Sequence, residues 1–366
     1  MNFASLRRAA WRISIGAATR ALLPLRARDR RVAVFYSGAH GGDFGGTLVK
    51  VRALARRFPE QRVGFSLLYM LSGGIYLPQS TIEAVRRAGV PIVLNQNGIY
   101  YKAWYPNGWE RENARMAGVH AAADHVFYQS EFCRRCAEQF LGPRHGPGEI
   151  LYNGVDTNRF HPADITKSRP FTFLGTGKIT SAIAYRLISS IEGLAAARKG
   201  GLDVRLIFSG AIDPDIETQA RALIERLGVA DAVSLTGAYR ESEAPSIYQS
   251  ADAYLITKHN DPCPNVVLEA MASGLPVLYS ASGGVPEQVG EEAGVGLAVP
   301  QTFETSPIPS PSAVAEGMAR IIREHQTMRQ AARQRAVARF DLTHWLDRHQ
   351  QVFEQLVRGG PGQARP

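Results

Sequence analysis

Short apolar runs alternate with amphipathic helical stretches through most of this chain. The first run, residues 32–36, precedes a glycine-rich loop and a segment whose apolar positions recur every three or four residues. Later apolar runs in this part of the chain lie at 63–70, 91–94, 126–128 and 150–152. Strands that alternate with helices are typical of a parallel sheet covered on both faces. We therefore predict a doubly wound, Rossmann-like α/β domain over residues 1–152.

The same alternation begins again after a polar, turn-rich connection at residues 153–170. Apolar runs then follow at 171–174, 204–208, 233–235, 253–256 and 277–279. These predict a second doubly wound domain over 153–340. Ligands of such sheets bind at the carboxyl ends of the strands, so we expect a site in a cleft that both domains face. A helix at 341–358 and a disordered Gly/Pro tail at 359–366 are expected to close the chain.

Residues 2–23 predict an amphipathic helix. Apolar side chains at three- and four-residue spacing share one face: Phe3, Leu6, Ala10, Ile13, Ala17 and Ala21. Four arginines lie off that face: Arg7, Arg8, Arg12 and Arg20. Such a helix suits an anionic membrane surface, or it packs on the body of the protein. Both interpretations stay open on the sequence alone.

The net charge of +9 favours acidic partners. Since no nucleic-acid motif accompanies this charge, we expect no nucleic-acid partner and favour phosphates and an anionic membrane surface. No apolar stretch approaches the roughly 18 residues of a spanning helix. Arg12 and Arg20 interrupt the N-terminal apolar stretch, which argues against a signal peptide. We therefore expect a cytoplasmic protein, either free or peripheral on the inner face of the membrane.

Three cysteines are too few for a disulfide framework. Cys133 and Cys136 have the spacing of a redox pair or of half a zinc site. The alternative is two small residues one turn apart on a helix. No second Cys/His pair at metal spacing supports a zinc site, and we predict no metal site and no cofactor.

The segment most informative about chemistry is 261–277, with the sequence DPCPNVVLEAMASGLPV. It reads as a loop, a short helix and the start of a strand, directly after the apolar run 253–256. Asn265 is predicted to cap a helix that begins at Val266. Backbone N–H groups at Asn265, Val266 and Val267 would then form an anion site suited to a diphosphate.

Two carboxylates flank that predicted anion site. Asp261 precedes the helix and Glu269 lies within it, and a carboxylate accepts hydrogen bonds from vicinal hydroxyls of ribose or a hexose. The alternative is a capped helix that carries a glutamate for structural reasons. Downstream, Gly283 and Gly284 would let the backbone approach a ligand, or they form an ordinary strand-to-helix turn.

The segment from Asp261 to Glu287 resembles the donor-binding region of family-4 glycosyltransferases of the GT-B fold. In that family an acidic residue, seven intervening residues and a glutamate precede Ala-Met-Ala-x-Gly-x-Pro-Val and a Gly-Gly-x-Pro-Glu turn. Residues 153–162 resemble the start of the family's second domain, and 41–55 its first loop and helix. Arg339-Phe340 with Trp345 resembles its closing helix, which crosses back to the first domain.

The resemblance implies a role for each matching residue. Glu269 would hold the ribose hydroxyls, Asp261 would contact hydroxyls of the transferred sugar, and N–H groups at 265–267 would bind the diphosphate. The family retains the anomeric configuration and needs no divalent metal. A hexose would move from a nucleotide-diphosphate sugar to a glycan or lipid-linked acceptor. We expect this reaction in cell-envelope polysaccharide or glycolipid synthesis.

The chain departs from the family at three positions. Thr176 and Ser181 stand where the family has an arginine and a lysine on the diphosphate, although Thr176 and Gly177 keep their place in the expected donor site. Lys178 is the best substitute cation unless it is a solvated loop lysine, and Arg186 is the alternative. Asn97 stands where the family often has a catalytic histidine. Asparagine hydrogen-bonds but cannot act as an acid or base.

The acceptor side is expected to include Gly45 and Gly46 of the first glycine-rich loop. Tyr100 and Tyr101 begin an aromatic cluster that also contains Trp104, Tyr105 and Trp109. Aromatic side chains stack on sugar rings and also suit membrane interfaces. The alternative for the cluster is simple packing of a loop.

Two other classes of function stay open. The departures at Thr176, Ser181 and Asn97 motivate a non-catalytic GT-B protein that binds a nucleotide sugar or glycan. A nucleotide-sugar epimerase of the same architecture is less favoured, because the acidic pair with its helix resembles the transferases.

Overall fold

A computed structural model of the chain describes residues 3–26, 31–39, 46–73, 77–163 and 170–359. The chain divides into two compact units. The first comprises Met1–Tyr152 together with Trp345–Pro366, and the second is Asn153–His344. The final part of the chain therefore belongs to the same unit as its beginning.

The first unit contains a five-stranded parallel sheet in the order β1-β2-β3-β4-β5. Its strands are β1 (Val34–Phe35), β2 (Leu67–Leu71), β3 (Ile92–Gln96), β4 (His125–Tyr128) and β5 (Gly148–Ile150). The first four are buried along their whole length. Parallel strands covered by helices on both faces need apolar residues throughout, which explains the continuous apolar runs in the sequence.

Among the residues that the structure describes, five α-helices of this unit precede Tyr152. They are α1 (Phe3–Leu22), α2 (Gly46–Arg57), α3 (Gln79–Arg87), α4 (Trp109–Ala122) and α5 (Glu131–Leu141). The Oγ atom of Ser130 caps α5 by accepting from the N–H of Cys133 at 3.0 Å. Cys133 and Cys136 are buried one turn apart on this helix. Burial raises the pKa of the Cys136 thiol to about 12, so these cysteines pack as small core residues.

The second unit has a six-stranded parallel sheet in the order β11-β10-β9-β6-β7-β8. The strands are β6 (Phe171–Thr176), β7 (Val204–Ser209), β8 (Val233–Gly237), β9 (Ala253–Ile256), β10 (Val277–Ser280) and β11 (Gly294–Leu297). The strand order runs outward from β6 to β8 and then reverses from β9 to β11. Strands β6 and β9 therefore mark the switch point, where open α/β sheets bind ligands at the strands' carboxyl ends.

Seven helices cover this second sheet among the residues described. They are α6 (Tyr185–Lys199), α7 (Pro214–Leu227), α8 (Ala244–Gln249), α9 (Asn265–Ala272), α10 (Val285–Val289), α11 (Pro311–Arg323) and α12 (His325–Phe340). Together with the two sheets, they confirm the predicted fold class of two doubly wound domains.

The last helix, α13 (Leu342–Gly359), packs within the first unit from Trp345 onward. His349 Nε2 lies 3.1 Å from the hydroxyl of Tyr69, and the rings of Phe58 and Phe353 meet edge to face. Burial lowers the pKa of His349 to about 3, so this imidazole is neutral inside the core. The predicted tail at 359–366 falls outside the described residues beyond Gly359.

Helix α1 forms as the sequence predicts, but it buries a different face. Ile15, Gly16 and Thr19 are buried. A Cβ atom at Gly16 would lie 2.7 Å from Cδ of Pro78, so the small residue permits close packing. The described part of the predicted apolar face, Ala10, Ile13, Ala17 and Ala21, is exposed instead. In the part of the chain that the structure describes, no helix is both long and apolar enough to cross a bilayer.

Candidate functional site

The switch point of the second sheet begins at Thr176, the last residue of β6. Its side chain is fully buried, with Oγ1 2.8 Å from the hydroxyl of Tyr254 and 3.3 Å from that of Tyr248. The structure therefore places this side chain in the core between two tyrosines, and the place of Thr176 in the donor site stays a prediction.

Two cations lie beside that strand end. Arg186, near the start of α6, is buried and donates from Nη2 to the carbonyl oxygen of Thr176 at 3.2 Å. Its Nη1 would be 3.9 Å from a Cβ atom at Gly177, and its Nε has no hydrogen-bond partner among the described residues. Lys178, in contrast, is exposed. The structure thus brings both candidate cations to the turn after β6.

The predicted anion-binding helix is α9, but it starts one residue earlier than expected. Pro264 is the residue before the helix, Asn265 is its first residue, and no side chain caps it. Oδ1 of Asn265 instead accepts from Nδ2 of Asn153 at 2.7 Å. The Val267 N–H donates to the Pro264 carbonyl at 3.1 Å. The N–H groups of Asn265 and Val266 come first in the helix, where intrahelical acceptors do not exist.

Glu269 lies on the second turn of α9. Its Oε2 accepts a hydrogen bond of 2.7 Å from the hydroxyl of Tyr248. Burial raises the pKa of Glu269, an effect that the Tyr248 hydrogen bond opposes. Tyr248 is itself fully buried, and desolvation raises its pKa well above the usual value. The tyrosine therefore stays a protonated donor that fixes one oxygen of the carboxylate and leaves the other to a ligand.

Asp261 lies in the loop between β9 and α9. Its Oδ1 accepts from the N–H of Cys263 at 3.1 Å, and its Oδ2 is 2.7 Å from Nζ of Lys258. Sequence reasoning missed Lys258, although its place two residues after β9 and three residues before Asp261 was a usable signal. A carboxylate has about four lone-pair sites, so Asp261 can still accept from sugar hydroxyls.

Gly283 and Gly284 hold the Asp261 loop. A Cβ atom at Gly283 would lie 2.4 Å from the carbonyl oxygen of Asp261, and the N–H of Gly284 donates to that same oxygen at 2.9 Å. Gly283 also has a φ of +70°, which favours glycine. The predicted close backbone approach is present, but the partner is the protein's own loop, so these glycines position Asp261.

The predicted acceptor-side residues belong to the first unit. Gly45 lies outside the described residues, and Gly46 is the first residue of α2. Tyr101 is buried at 7% exposure, while Tyr100 stacks on Trp104 with ring centroids 5.4 Å apart. Trp104 and Tyr105 are 46% and 39% exposed. The most exposed members of the predicted aromatic cluster are thus Trp104 and Tyr105, and its place on the acceptor side stays a prediction.

Asn97 follows β3, and its side chain is enclosed by polar partners. Oδ1 accepts from Lys50 Nζ at 2.8 Å and from Nε2 of Gln129, while its backbone N–H donates to Oγ of Ser72 at 2.8 Å. Sequence reasoning singled out Asn97 but neither Lys50 nor Gln129. Among the described residues, no three His, Cys, Asp or Glu side chains are grouped as ligands of a metal ion.

Residues 185–338 match the family model described as "Glycosyl transferases group 1". Over these residues the chain is similar to the group 1 glycosyl transferases. The match runs from the first residue of α6 almost to the end of α12. It therefore contains Arg186, Asp261 and α9 with Glu269.

Curated proteins similar to this chain match it over part of their length. A D-inositol 3-phosphate glycosyltransferase of Actinosynnema mirum is 31% identical over 161 residues, which cover 39% of this chain and 38% of that protein. A GDP-mannose-dependent alpha-(1-6)-phosphatidylinositol monomannoside mannosyltransferase of Mycobacterium tuberculosis is 29% identical over 223 residues, covering 56% of this chain and 55% of that one. The chain thus spans between about a third and about half of the curated relatives it matches.

Solved structures share the fold over most of the chain. HepE of Anabaena, in complex with UDP and glucose, superposes with a TM-score of 0.61 and 18% identity, covering 84% of this chain and 80% of that one. A glycosyltransferase of Rickettsia africae gives a TM-score of 0.63 at 16% identity, covering 87% and 83%. These similarities confirm the GT-B fold of two Rossmann-like domains.

Proposed function

We propose that this protein is a retaining glycosyltransferase that moves a hexose from a nucleotide-diphosphate sugar to a glycan or lipid-linked acceptor. The observation that carries the proposal is the hydrogen bond from Tyr248 on α8 to Glu269 on α9, at the switch point of the sheet in the region that matches the group 1 glycosyl transferases. One oxygen of this carboxylate is held by the tyrosine, so the other is oriented toward a ligand hydroxyl.

The donor would be held by neighbouring parts of one loop and helix. Glu269 accepts from the ribose hydroxyls, and Asp261 accepts from hydroxyls of the transferred sugar. The first N–H groups of α9, at Asn265 and Val266, donate to the diphosphate, where the helix dipole adds about 0.3–1 kcal/mol. Val267 contributes less, because its N–H is already bonded to Pro264.

Departure of the nucleotide diphosphate places negative charge on a phosphate oxygen. Lys178 and Arg186, both beside the end of β6, would stabilise that charge without a divalent metal. Asn97 cannot take a proton, so the acceptor hydroxyl would pass its proton to the departing phosphate. Retention of the anomeric configuration is part of this proposal.

The relatives' names support the substrate classes. One relative is named as GDP-mannose-dependent and acts on a phosphatidylinositol mannoside, and HepE was solved with UDP and glucose. We accordingly propose a role in cell-envelope polysaccharide or glycolipid synthesis. The protein would act in the cytoplasm, free or on the inner face of the membrane, with the outward face of α1 on anionic lipid.

The test is thermal-shift screening against UDP, GDP, ADP and their common sugar conjugates, with and without EDTA. Stabilisation by one nucleotide family that EDTA leaves unchanged is the expected result. No shift with any nucleotide, or a shift that EDTA abolishes, would contradict the metal-free donor site.

A second candidate is a non-catalytic GT-B protein that binds the same ligands. The burial of Thr176 favours it, because the side chain at the family's arginine position is withdrawn into the core. Release of free nucleoside diphosphate from the stabilising sugar conjugate distinguishes the two. Turnover supports the transferase, and tight binding without hydrolysis or transfer supports the binding protein.

A further inference from the structure

A buried polar network surrounds Asn97 in the first unit. Nζ of Lys50, on α2, donates to Oδ1 of Asn95 at 3.2 Å and to Oδ1 of Asn97 at 2.8 Å. Gln129, just after β4, donates from Nε2 to Oδ1 of Asn95 at 3.1 Å and to Oδ1 of Asn97. Lys50, Asn95 and Gln129 are all buried. Asn95 and Asn97 are two residues apart, so both side chains point to the same face of the sheet.

The ammonium group determines which way the two asparagine amides face. Oxygen and nitrogen of an amide have nearly the same shape, so hydrogen bonds decide their orientation. An ammonium group only donates, and the atoms closest to Lys50 Nζ must therefore be oxygens. The NH₂ groups of Asn95 and Asn97 consequently face away from the lysine. Both nitrogens are buried, and that of Asn97 has no acceptor among the described residues.

The NH₂ group of Asn97 faces the turn that follows β2. A Cβ atom at Gly73 would lie 3.6 Å from Nδ2 of Asn97, so a larger residue here would be in direct contact with this nitrogen. A buried donor without an acceptor costs free energy that an arriving oxygen would recover. The network thus presents one aimed donor at the edge of the sheet where α/β domains bind ligands.

We infer that Lys50 and Gln129 are positioning residues that hold the Asn97 amide with its NH₂ group directed at a hydroxyl oxygen of a sugar substrate. The inference rests on the proposed function, which supplies the sugar. It explains how an asparagine serves where a proton-transferring residue is absent, because its task is to donate one oriented hydrogen bond. It also identifies the ligand atom as an acceptor.

Asn97→Asp is the decisive variant. Its carboxylate would still accept from Lys50 and Gln129, and the ammonium would form an ion pair with it, so the melting temperature should be unchanged or higher. The variant cannot donate, and kcat/KM for turnover of the sugar nucleotide should fall at least about tenfold. A purely structural role for Asn97 would move stability and activity together.

Lys50→Met tests the positioning role itself. Without the ammonium, the Asn97 amide loses one of the two donors that fix its orientation, and kcat/KM should again fall about tenfold. Affinity for the bare nucleoside diphosphate, which carries no sugar, should stay at the wild-type value. If Lys50→Met does not fold, Asn97→Asp and the glycine variant below decide the matter.

Gly73→Ala tests the direction of approach. Its methyl group would stand at ordinary contact distance from Asn97 Nδ2, so the protein should fold while the sugar loses access to the amide. Gly359→Ala is the matched control in the same unit, since its Cβ atom would meet nothing within 4 Å. We expect kcat/KM to fall for Gly73→Ala alone.

The outcomes separate this inference from the proposed function. If the wild type turns over the sugar nucleotide and Asn97→Asp and Gly73→Ala have the same kcat/KM, the inference is overturned and the proposed transferase function stands. A wild-type protein that binds no nucleotide sugar would overturn both. Reduced kcat/KM in both variants, with nucleoside diphosphate affinity and melting temperature preserved, would support the inference.

Discussion

The hydroxyl of Tyr248 donates to Oε2 of Glu269 across 2.7 Å, so a residue of α8 orients a carboxylate on α9. The donor is itself buried and protonated, and it cannot turn toward solvent without losing this bond. The carboxylate therefore has a fixed orientation before any nucleotide arrives. Preorganisation of this kind reduces the entropy lost on binding.

Glu269→Ala should weaken nucleotide binding by about 10- to 100-fold, because it removes a charged acceptor of the ribose hydroxyls. Isothermal titration with the nucleoside diphosphate found by thermal shift measures the change. Glu292→Ala is the control, since this exposed glutamate of the same unit lies on a surface turn. Equal affinity of wild type and Glu269→Ala would show that the ribose binds elsewhere.

The raised pKa of Glu269 predicts how binding depends on pH. The ionised carboxylate is the acceptor, so nucleotide affinity should fall as the pH is lowered through this raised pKa. Tyr248→Phe removes a hydrogen bond that favours the charged form, and the midpoint of the affinity loss should move to higher pH. Titrations at several pH values compare the two proteins. An unshifted midpoint would contradict the role of Tyr248.

The raised pKa of Glu269 also predicts how the free energy of unfolding changes with pH. The pKa is higher in the folded protein than the ordinary value of 4.5 that the unfolded chain has. The contribution of Glu269 to the free energy of unfolding is therefore fully present below pH 4.5 and is lost as the pH rises through the folded pKa. Glu269→Gln should remove this pH dependence in urea unfolding, and a dependence that persists would assign it to other groups.

Asp261→Ala should lower the rate of transfer more than it lowers nucleotide affinity. The carboxylate contacts the transferred sugar in the proposed mechanism, whereas the nucleotide is held by α9. Steady-state kinetics and titration with the nucleoside diphosphate give the two quantities. Lys258→Met keeps the carboxylate and removes its 2.7 Å partner, so a smaller effect is expected. Equal losses in affinity and kcat for Asp261→Ala would argue against sugar contact.

Lys178→Ala should lower kcat by roughly 10- to 100-fold without a change in melting temperature, since an exposed cation acts only on the departing diphosphate. Lys199→Ala removes the same charge from an exposed site at the end of α6 and serves as the matched control. If Lys178→Ala keeps the wild-type kcat, Arg186 is left as the cation that stabilises the departing diphosphate.

Ile13→Asp should reduce sedimentation of the protein with vesicles that contain phosphatidylglycerol. Ile13 is 67% exposed on the outward face of α1, where an aspartate opposes both apolar insertion and the anionic surface. Ile308→Asp, at an isoleucine that is 44% exposed in the second unit, is the control. If both variants still bind the vesicles, the membrane contact lies elsewhere on the protein. If neutral vesicles bind the protein equally well, a specific contact with anionic lipid is excluded.

Periodicity along the chain was sufficient to predict both sheets, because apolar spacing is a local property of strands and helices. The motif around Asp261 and Glu269 likewise predicted two carboxylates on either side of a helix start. The direction in which a side chain points depends on tertiary structure and was harder to predict from the sequence. Thr176 points into the core because two tyrosines from distant segments meet it there.

Helix α1 shows why a correct periodicity can give the wrong buried face. The larger apolar residues lie on one face of the helix. The face that packs closely contains Gly16 and Thr19 instead, and the small size of Gly16 allows contact with Pro78. The pairing of Lys50 with Asn97 was also inaccessible, because nothing near either residue in sequence indicates the other. Only the fold brings α2 beside the end of β3.

Backbone hydrogen bonds connect the beginning of the second unit to its end. Val155 N–H donates to the Phe340 carbonyl at 2.8 Å, and Leu342 N–H donates to the Val155 carbonyl at 2.9 Å. Residues 153–344 are thus an insertion whose start and finish are already side by side. Because its ends are adjacent, an exchange of this segment for another of the same architecture would need no linker that spans a distance. The boundary at His344 falls within α13, so the first turn of that helix would be exchanged with the segment.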